Sequence, residues 1–356
     1  MELTRARLAA GDIKAARLRP RLLMLAVACV LGAGLAGIMV GPVGLPPGAV
    51  IRELIDHLPL VHLSSGLSRQ DAAILWQLRV PRVALGGLVG AMLAIGGASY
   101  QGVFRNPLAD PYLLGVAAGA GLGATLAIAY LPHQAAWPVS PLPLAAFVGA
   151  VLAVTATYVL GRSALRTRNT GTLILAGVAV ASFFTAVQTY VQQLHANDLR
   201  QVYSWILGGL NTVGWREVAL ILPYVAVSGG ALVLHRRLLD VMSLGDEEAE
   251  SLGINPARVR LTVVAAATLG TAAAVAVSGL IGFVGIIVPH TVRLAFGSSY
   301  RRVLPLSVAF GAAFLILADL LARTIVSPAE LPIGIITAFF GAPFFLIVLR
   351  GARRIP

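Results

Sequence analysis

Residues 78–119 read LRVPRVALGGLVGAMLAIGGASYQGVFRNPLADPYLLGVAAG, two apolar runs joined by a proline-rich turn. From Arg82 to Phe104 the chain runs 23 residues without an acidic side chain. A helix needs roughly 20 apolar residues to cross a hydrocarbon core, so this segment reads as one membrane span. Small residues recur in it at Gly86, Gly87, Gly90, Ala94 and Gly97. They let helix backbones approach closely where lipid supplies no hydrophobic drive. Asn106 and Asp110 each precede a proline. A residue before proline is pushed out of the helical region, so the chain leaves the span by a rigid turn. Asp110 and Pro111 then read as the cap and first residue of the next helix.

Outward from this stretch the same texture repeats. Apolar runs at 22–40, 82–104, 112–131, 142–161, 171–194, 215–234, 259–279, 303–324 and 333–349 make nine candidate spans. A tenth, Gly282 to Phe296, is shorter and interrupted by Pro289, His290 and Arg293. Over 356 residues, 58% are hydrophobic and 12% charged, with a mean hydropathy of +0.85. Soluble domains carry about 25% charged residues, so a soluble globular chain is excluded. Both ends are basic, with Arg5, Arg7, Lys14, Arg17, Arg19 and Arg21 before the first run and Arg350, Arg353 and Arg354 after the last. The positive-inside rule puts both termini in the cytoplasm, which requires an even number of crossings and selects ten. With ten, 20 of the 27 basic residues fall on the cytoplasmic side.

The expected fold is therefore all-α, a polytopic membrane protein of about ten transmembrane helices. Residues 1–21 form a basic cytoplasmic segment and 22–356 one transmembrane domain, with a polar loop at 238–260 inside it. The first run is longer than a leader's apolar core of about 7–15 residues, so it is expected to be retained. Gly97 precedes Pro107 by ten residues, as Gly279 precedes Pro289. Five crossings separate the two units, which makes helices 2–5 and 7–10 inverted repeat-like halves.

The net charge of +12 is scattered in small groups beside the apolar runs and forms no single basic patch, which argues against nucleic acid as a partner. Lys14 is the only lysine and lacks the glycine-rich context of a phosphate-cradling loop, so the chain is not expected to hydrolyse ATP itself. Gly119, Gly121 and Gly123 read as helix packing, because no strand precedes them. The sequence offers no spaced metal-ligand cluster and no nucleophile paired with a base, so no metal, cofactor or catalytic residue is expected. The histidines at 57, 62, 133, 195, 235 and 290 are dispersed, and none is singled out as a haem ligand. Cys29, alone, closes no intrachain disulfide.

Four polar features stand out. Asp319 and Arg323, four residues apart, read as a same-face ion pair near the outer end of the ninth span. From Leu238 to Arg260, Ser243 and Asp246 read as a cap, Gly253 as a helix stop, and Asn255 with Pro256 as a restart, giving two short helices that project from the membrane. In the fifth span Ser182, Thr185, Gln188, Thr189, Gln192 and Gln193 recur along one face, which lines a pathway or bonds to neighbouring helices. Arg79, Arg82 and Arg323 fall at the outer rim, where cations anchor the protein or steer an acidic partner.

Leu78–Gly119 resembles the second and third helices of FecCD-type permeases, the membrane subunits of type II ABC importers for vitamin B12, haem and ferric siderophores. Gly279–Arg293 (GLIGFVGIIVPHTVR), Ala318–Arg323 (ADLLAR) and Glu330–Phe345 (ELPIGIITAFFGAPFF) are similar to later segments of that family, in the same order. The resemblance implies a homodimer in the bacterial inner membrane, two separate cytoplasmic ABC ATPase subunits, and a periplasmic or lipid-anchored substrate-binding protein. It implies ATPase coupling through Leu244, Gly245, Glu248, Leu252, Gly253, Asn255, Pro256 and Arg258. It assigns binding-protein docking to Arg79, Arg82 and Arg323, and the translocation pathway to Ser182, Thr185, Gln188, Thr189 and Gln192. The implied cargo is a large iron chelate, ferric siderophore or haem, or cobalamin. An ion-coupled secondary transporter or channel is the competing expectation, motivated by Asp319 and the inverted echo.

Overall fold

The computed structural model describes residues 19–57, 66–131, 140–165, 170–211 and 214–352, which form fifteen α-helices and no strand. They are α1 (Pro20–Met39), α2 (Pro47–Asp56), α3 (Arg69–Ile74), α4 (Val80–Phe104), α5 (Val116–Tyr130), α6 (Pro141–Leu165), α7 (Thr170–Leu194) and α8 (Leu199–Ile206). After these come α9 (Arg216–Leu234), α10 (Arg236–Met242), α11 (Asp246–Ser251), α12 (Pro256–Ser278), α13 (Val284–Phe296), α14 (Tyr300–Ala322) and α15 (Ile333–Ala352). Most of the expected basic segment (residues 1–18), His62, His133, Arg166, Arg168, Arg353 and Arg354 lie outside the described residues.

The ten apolar runs become α1, α4, α5, α6, α7, α9, α12, α13, α14 and α15. Among the described residues seven helical spans are long and apolar enough to cross a membrane, one of them being α3 and α4 joined through a π-helical turn at Leu75–Arg79; α5, α13 and the Ile333–Val348 part of α15 are shorter apolar stretches. The chain is a multi-pass, all-helical membrane protein. The doubtful tenth run is helical, but the 13 residues of α13 reach only about 20 Å. The non-helical residues 279–283 precede it. The run at 112–131 also differs from expectation. Asp110 does cap, accepting from Tyr112 N at 2.9 Å, but what it caps is a 3-10 turn at Pro111–Leu114. Gly115, with φ +90°, then breaks the chain before α5.

The two halves share one pattern. Helices α4 to α7 are 25, 15, 25 and 25 residues long, and α12 to α15 are 23, 13, 23 and 20, so a short second helix follows a non-helical insert in each. The C-terminal end of α4 and the N-terminal end of α12 meet at one carboxylate, with Arg105 3.4 Å and Arg260 3.1 Å from Asp246. The halves therefore run in opposite directions, as inverted repeats must.

The centre of the bundle is α4, buried at 20 of its 25 positions against α9, α12, α13 and α14. A Cβ at Gly90 would meet the carbonyl oxygen of Gly311 in α14, and one at Gly97 would meet that of Gly285 in α13. Gly119 and Gly149 face each other in the same way between α5 and α6. That glycine cluster serves backbone packing. By contrast α1, α7 and α9 present most of their surface outward.

Candidate functional site

Polar side chains gather at the two ends of α4. At its C-terminal end, α10 and α11 form a projection whose shape is set locally. Ser243 is not the cap expected of it, because its hydroxyl donates to Asp240 O at 2.6 Å. Gly245, with φ +142°, starts α11 instead, and a Cβ there would run into the Glu248 carboxylate. Three acidic residues, Asp246, Glu247 and Glu248, occupy the first turn of α11, where helix dipoles favour them. Gly253 (φ +78°) ends the helix, with Ile254 N donating to Ala249 O at 2.9 Å. Asn255 then accepts from Arg258 N at 3.0 Å with Pro256 at the first helical position of α12.

Two carboxylates fasten this projection to the bundle. Asp246 holds Arg260 of α12 and Arg105 at the end of α4. Asp240 of α10 accepts from Ser299 Oγ at 2.9 Å and Tyr300 N at 2.6 Å, and lies 3.5 Å from Arg301, all at the start of α14. The projection is thus tied to three long helices, while Leu244 and Leu252 stand 65% and 63% exposed on it.

At the opposite end of α4 the three arginines expected at the rim converge, but two of them turn inward. Arg79 is buried and donates to Ile38 O (3.0 Å), Met39 O (3.1 Å) and Val43 O. Arg323, also buried, donates to Gly37 O. These carbonyls belong to the last residues of α1 and the turn after it, which have no helical partners of their own. Arg82 is the bridging cation. Its Nε and Nη2 donate to Asp319 at 2.8–3.1 Å, and its Nη1 and Nη2 donate to Glu330 at 3.0 and 2.9 Å. The expected Asp319–Arg323 pair exists at 3.5 Å, but Arg82 is the closer partner. Asp319 is thus a buried, paired carboxylate.

The polar stripe of the fifth span divides. Ser182, Thr185 and Thr189 are exposed on α7 and line an open groove of about 600 Å³ with Tyr112 and Leu113. Gln188 is buried, its amide lying against Gly121 of α5, and Gln192 is half-buried. Ser182 and Thr189 donate to their own helix at Val178 O and Thr185 O, both at 2.9 Å. The stripe is therefore split: Gln188 packs against α5, while the hydroxyls of Ser182, Thr185 and Thr189 lie on the exposed face of α7.

Sequence reasoning passed over Asp240, Arg105 and Glu330 as site residues. Their partners lie 59, 141 and 248 positions away along the chain, so no local spacing points to them.

The profile of the FecCD transport family matches residues 25–351. A cobalamin import permease, BtuC, of Halobacterium salinarum is 42% identical over 292 residues, covering 81% of this chain and 76% of that one. A ferric citrate import permease, YfmE, of Bacillus subtilis is 35% identical over 337 residues, covering 94% and 97%. Among solved structures, a metal-chelate-type ABC transporter in an inward-facing conformation superposes with a TM-score of 0.79 at 26% identity, covering 94% of this chain and all of that one. With the bundle, its inverted halves and this match over nearly its whole length, the chain belongs to the FecCD transport family.

Proposed function

We propose that the chain is the permease subunit of an ATP-driven importer in the plasma membrane, with both termini in the cytoplasm. Its cargo is a large metal chelate or cobalamin, the classes named for its relatives. The observation that carries this reading is the anchored projection. A chain with no nucleotide-binding loop displays Leu244 and Leu252 on a knob tied to α4, α12 and α14. Gly245, Glu248, Gly253, Asn255, Pro256 and Arg258 shape that knob, which receives the movement of two separate cytoplasmic ATPase subunits and passes it into the bundle.

The Arg82 cluster lies about 33 Å away, at the other end of α4, by the rise of the helix from Arg82 to Phe104. Three arginines and two carboxylates cluster there, and the net positive charge would attract an acidic surface on a periplasmic or lipid-anchored binding protein. Arg82 makes the contact, and Arg79 and Arg323 hold α1 beside it. Two permease copies face each other across the hydroxyl-lined side of α7. Ser182, Thr185 and Thr189 are exposed along that helix, and polar side chains within a span face protein or water in preference to lipid. The path for cargo then runs between the copies, past Ser182, Thr185, Gln188, Thr189 and Gln192.

The test is uptake of cobalamin and of ferric chelates by proteoliposomes holding the permease, its ATPase and its binding protein. Uptake is expected to require ATP and to survive collapse of the proton gradient by an uncoupler. Uptake that stops with the uncoupler and ignores ATP overturns the reading.

A further inference from the structure

Glu330 and Asp319 hold the same guanidinium but are not equivalent. Asp319 is 2% exposed, lies on α14 and shares its charge between Arg82 and Arg323. Glu330 is 38% exposed and sits in the connector ahead of α15. It takes Arg82 through both oxygens, Oε1 to Nη1 and Oε2 to Nη2, in the forked geometry that an incoming carboxylate would itself adopt. The backbone of the connector is pinned, with Leu331 N donating to Ala322 O at 2.9 Å, so Glu330 can release Arg82 by side-chain rotation alone.

The geometry points to Glu330 as a resident carboxylate that occupies the outer fork of Arg82 until an acidic side chain of the docking protein replaces it. This rests on the docking role of Arg82 proposed above. Asp319 stays in place through the exchange and keeps Arg82 oriented. Docking then swaps one carboxylate for another on the same guanidinium and frees Glu330 into water. An exposed ion pair is cheap to break, whereas the buried one is not. A lone exposed arginine would attract any acidic surface. Under this arrangement only a partner that presents its carboxylate in the fork's plane displaces the resident one.

The experiment measures the affinity of the importer's substrate-binding protein for the full transporter in lipid nanodiscs, across a range of ionic strength. Glu330→Gln is expected to tighten binding about tenfold at low salt, because Arg82 no longer has to give up a partner. Arg82→Gln is expected to weaken binding, and Glu330→Gln added to it is expected to change nothing further. Should Arg82→Gln fail to assemble, Arg82→Lys keeps the charge, loses the fork and serves in its place. Unchanged or weaker binding in Glu330→Gln, with Arg82 variants still impaired, overturns the exchange and leaves the docking site standing. A gain that persists in the Arg82 background means only the long-range charge mattered, which also overturns it. If Arg82 variants bind normally, the docking reading fails and takes the exchange with it.

Discussion

Arg79 and Arg323 meet the same need from two directions. The final carbonyls of a helix carry partial negative charge and lack intrahelical donors, and at the end of α1 these two guanidinium groups supply them. Beside them Asp319 pairs with both Arg82 and Arg323 in a buried setting. Removing one member of such a group strands a charge that water cannot reach. Asp319→Ala is therefore expected to destabilise the permease by about 3–5 kcal/mol. Glu330→Ala, whose carboxylate is exposed, is expected to cost about 1 kcal/mol or less. Denaturation of the purified protein in one detergent checks both, and equal losses would contradict the distinction between buried and exposed partners.

The projection of α10 and α11 is an element whose form depends on backbone conformation. Gly253 lies in the left-handed region at φ +78°, yet nothing stands within 4 Å of where its Cβ would be, so the restriction is conformational and not steric crowding. A β-branched residue there costs about 1–2 kcal/mol, whereas Asn tolerates the conformation. Gly253→Val is expected to lower uptake per ATP hydrolysed, with Gly253→Asn close to the native ratio. Parallel assays of hydrolysis and transport check this, and a native ratio in the valine variant removes the turn from the coupling path. Such a change acts on the knob alone, because Asp240 and Asp246 hold its attachment to α4, α12 and α14 independently of the turn.

At the scale of the whole molecule, the outward-facing hydroxyls of α7 carry the assembly prediction. In a Cys29→Ala background, a cysteine at Thr185 is expected to cross-link two copies with a short bifunctional reagent, while one at the exposed Val227 of α9 is not. Gel mobility checks this, and cross-linking at Val227 alone would move the interface elsewhere. Much of this architecture was legible from residues close together in the chain. Apolar runs bound the helices to within a few residues, and charge parity called for the tenth crossing. The Gly253 stop and the Asn255–Pro256 restart also followed from local chemistry. Ser243 misled, because a serine can bond backward to its own helix as readily as it caps the next, and Asp110 capped a 3-10 turn because Gly115 interrupts the helix. Hydropathy and helix punctuation are properties of short segments, which is why the sequence by itself determined an all-helical membrane bundle with a polar knob. Which way Arg79 and Arg323 point, which carboxylate takes Arg82, and what fastens the knob to the bundle were decided only by the tertiary structure. Those contacts join residues tens to hundreds of positions apart, and they exist only once the helices have packed.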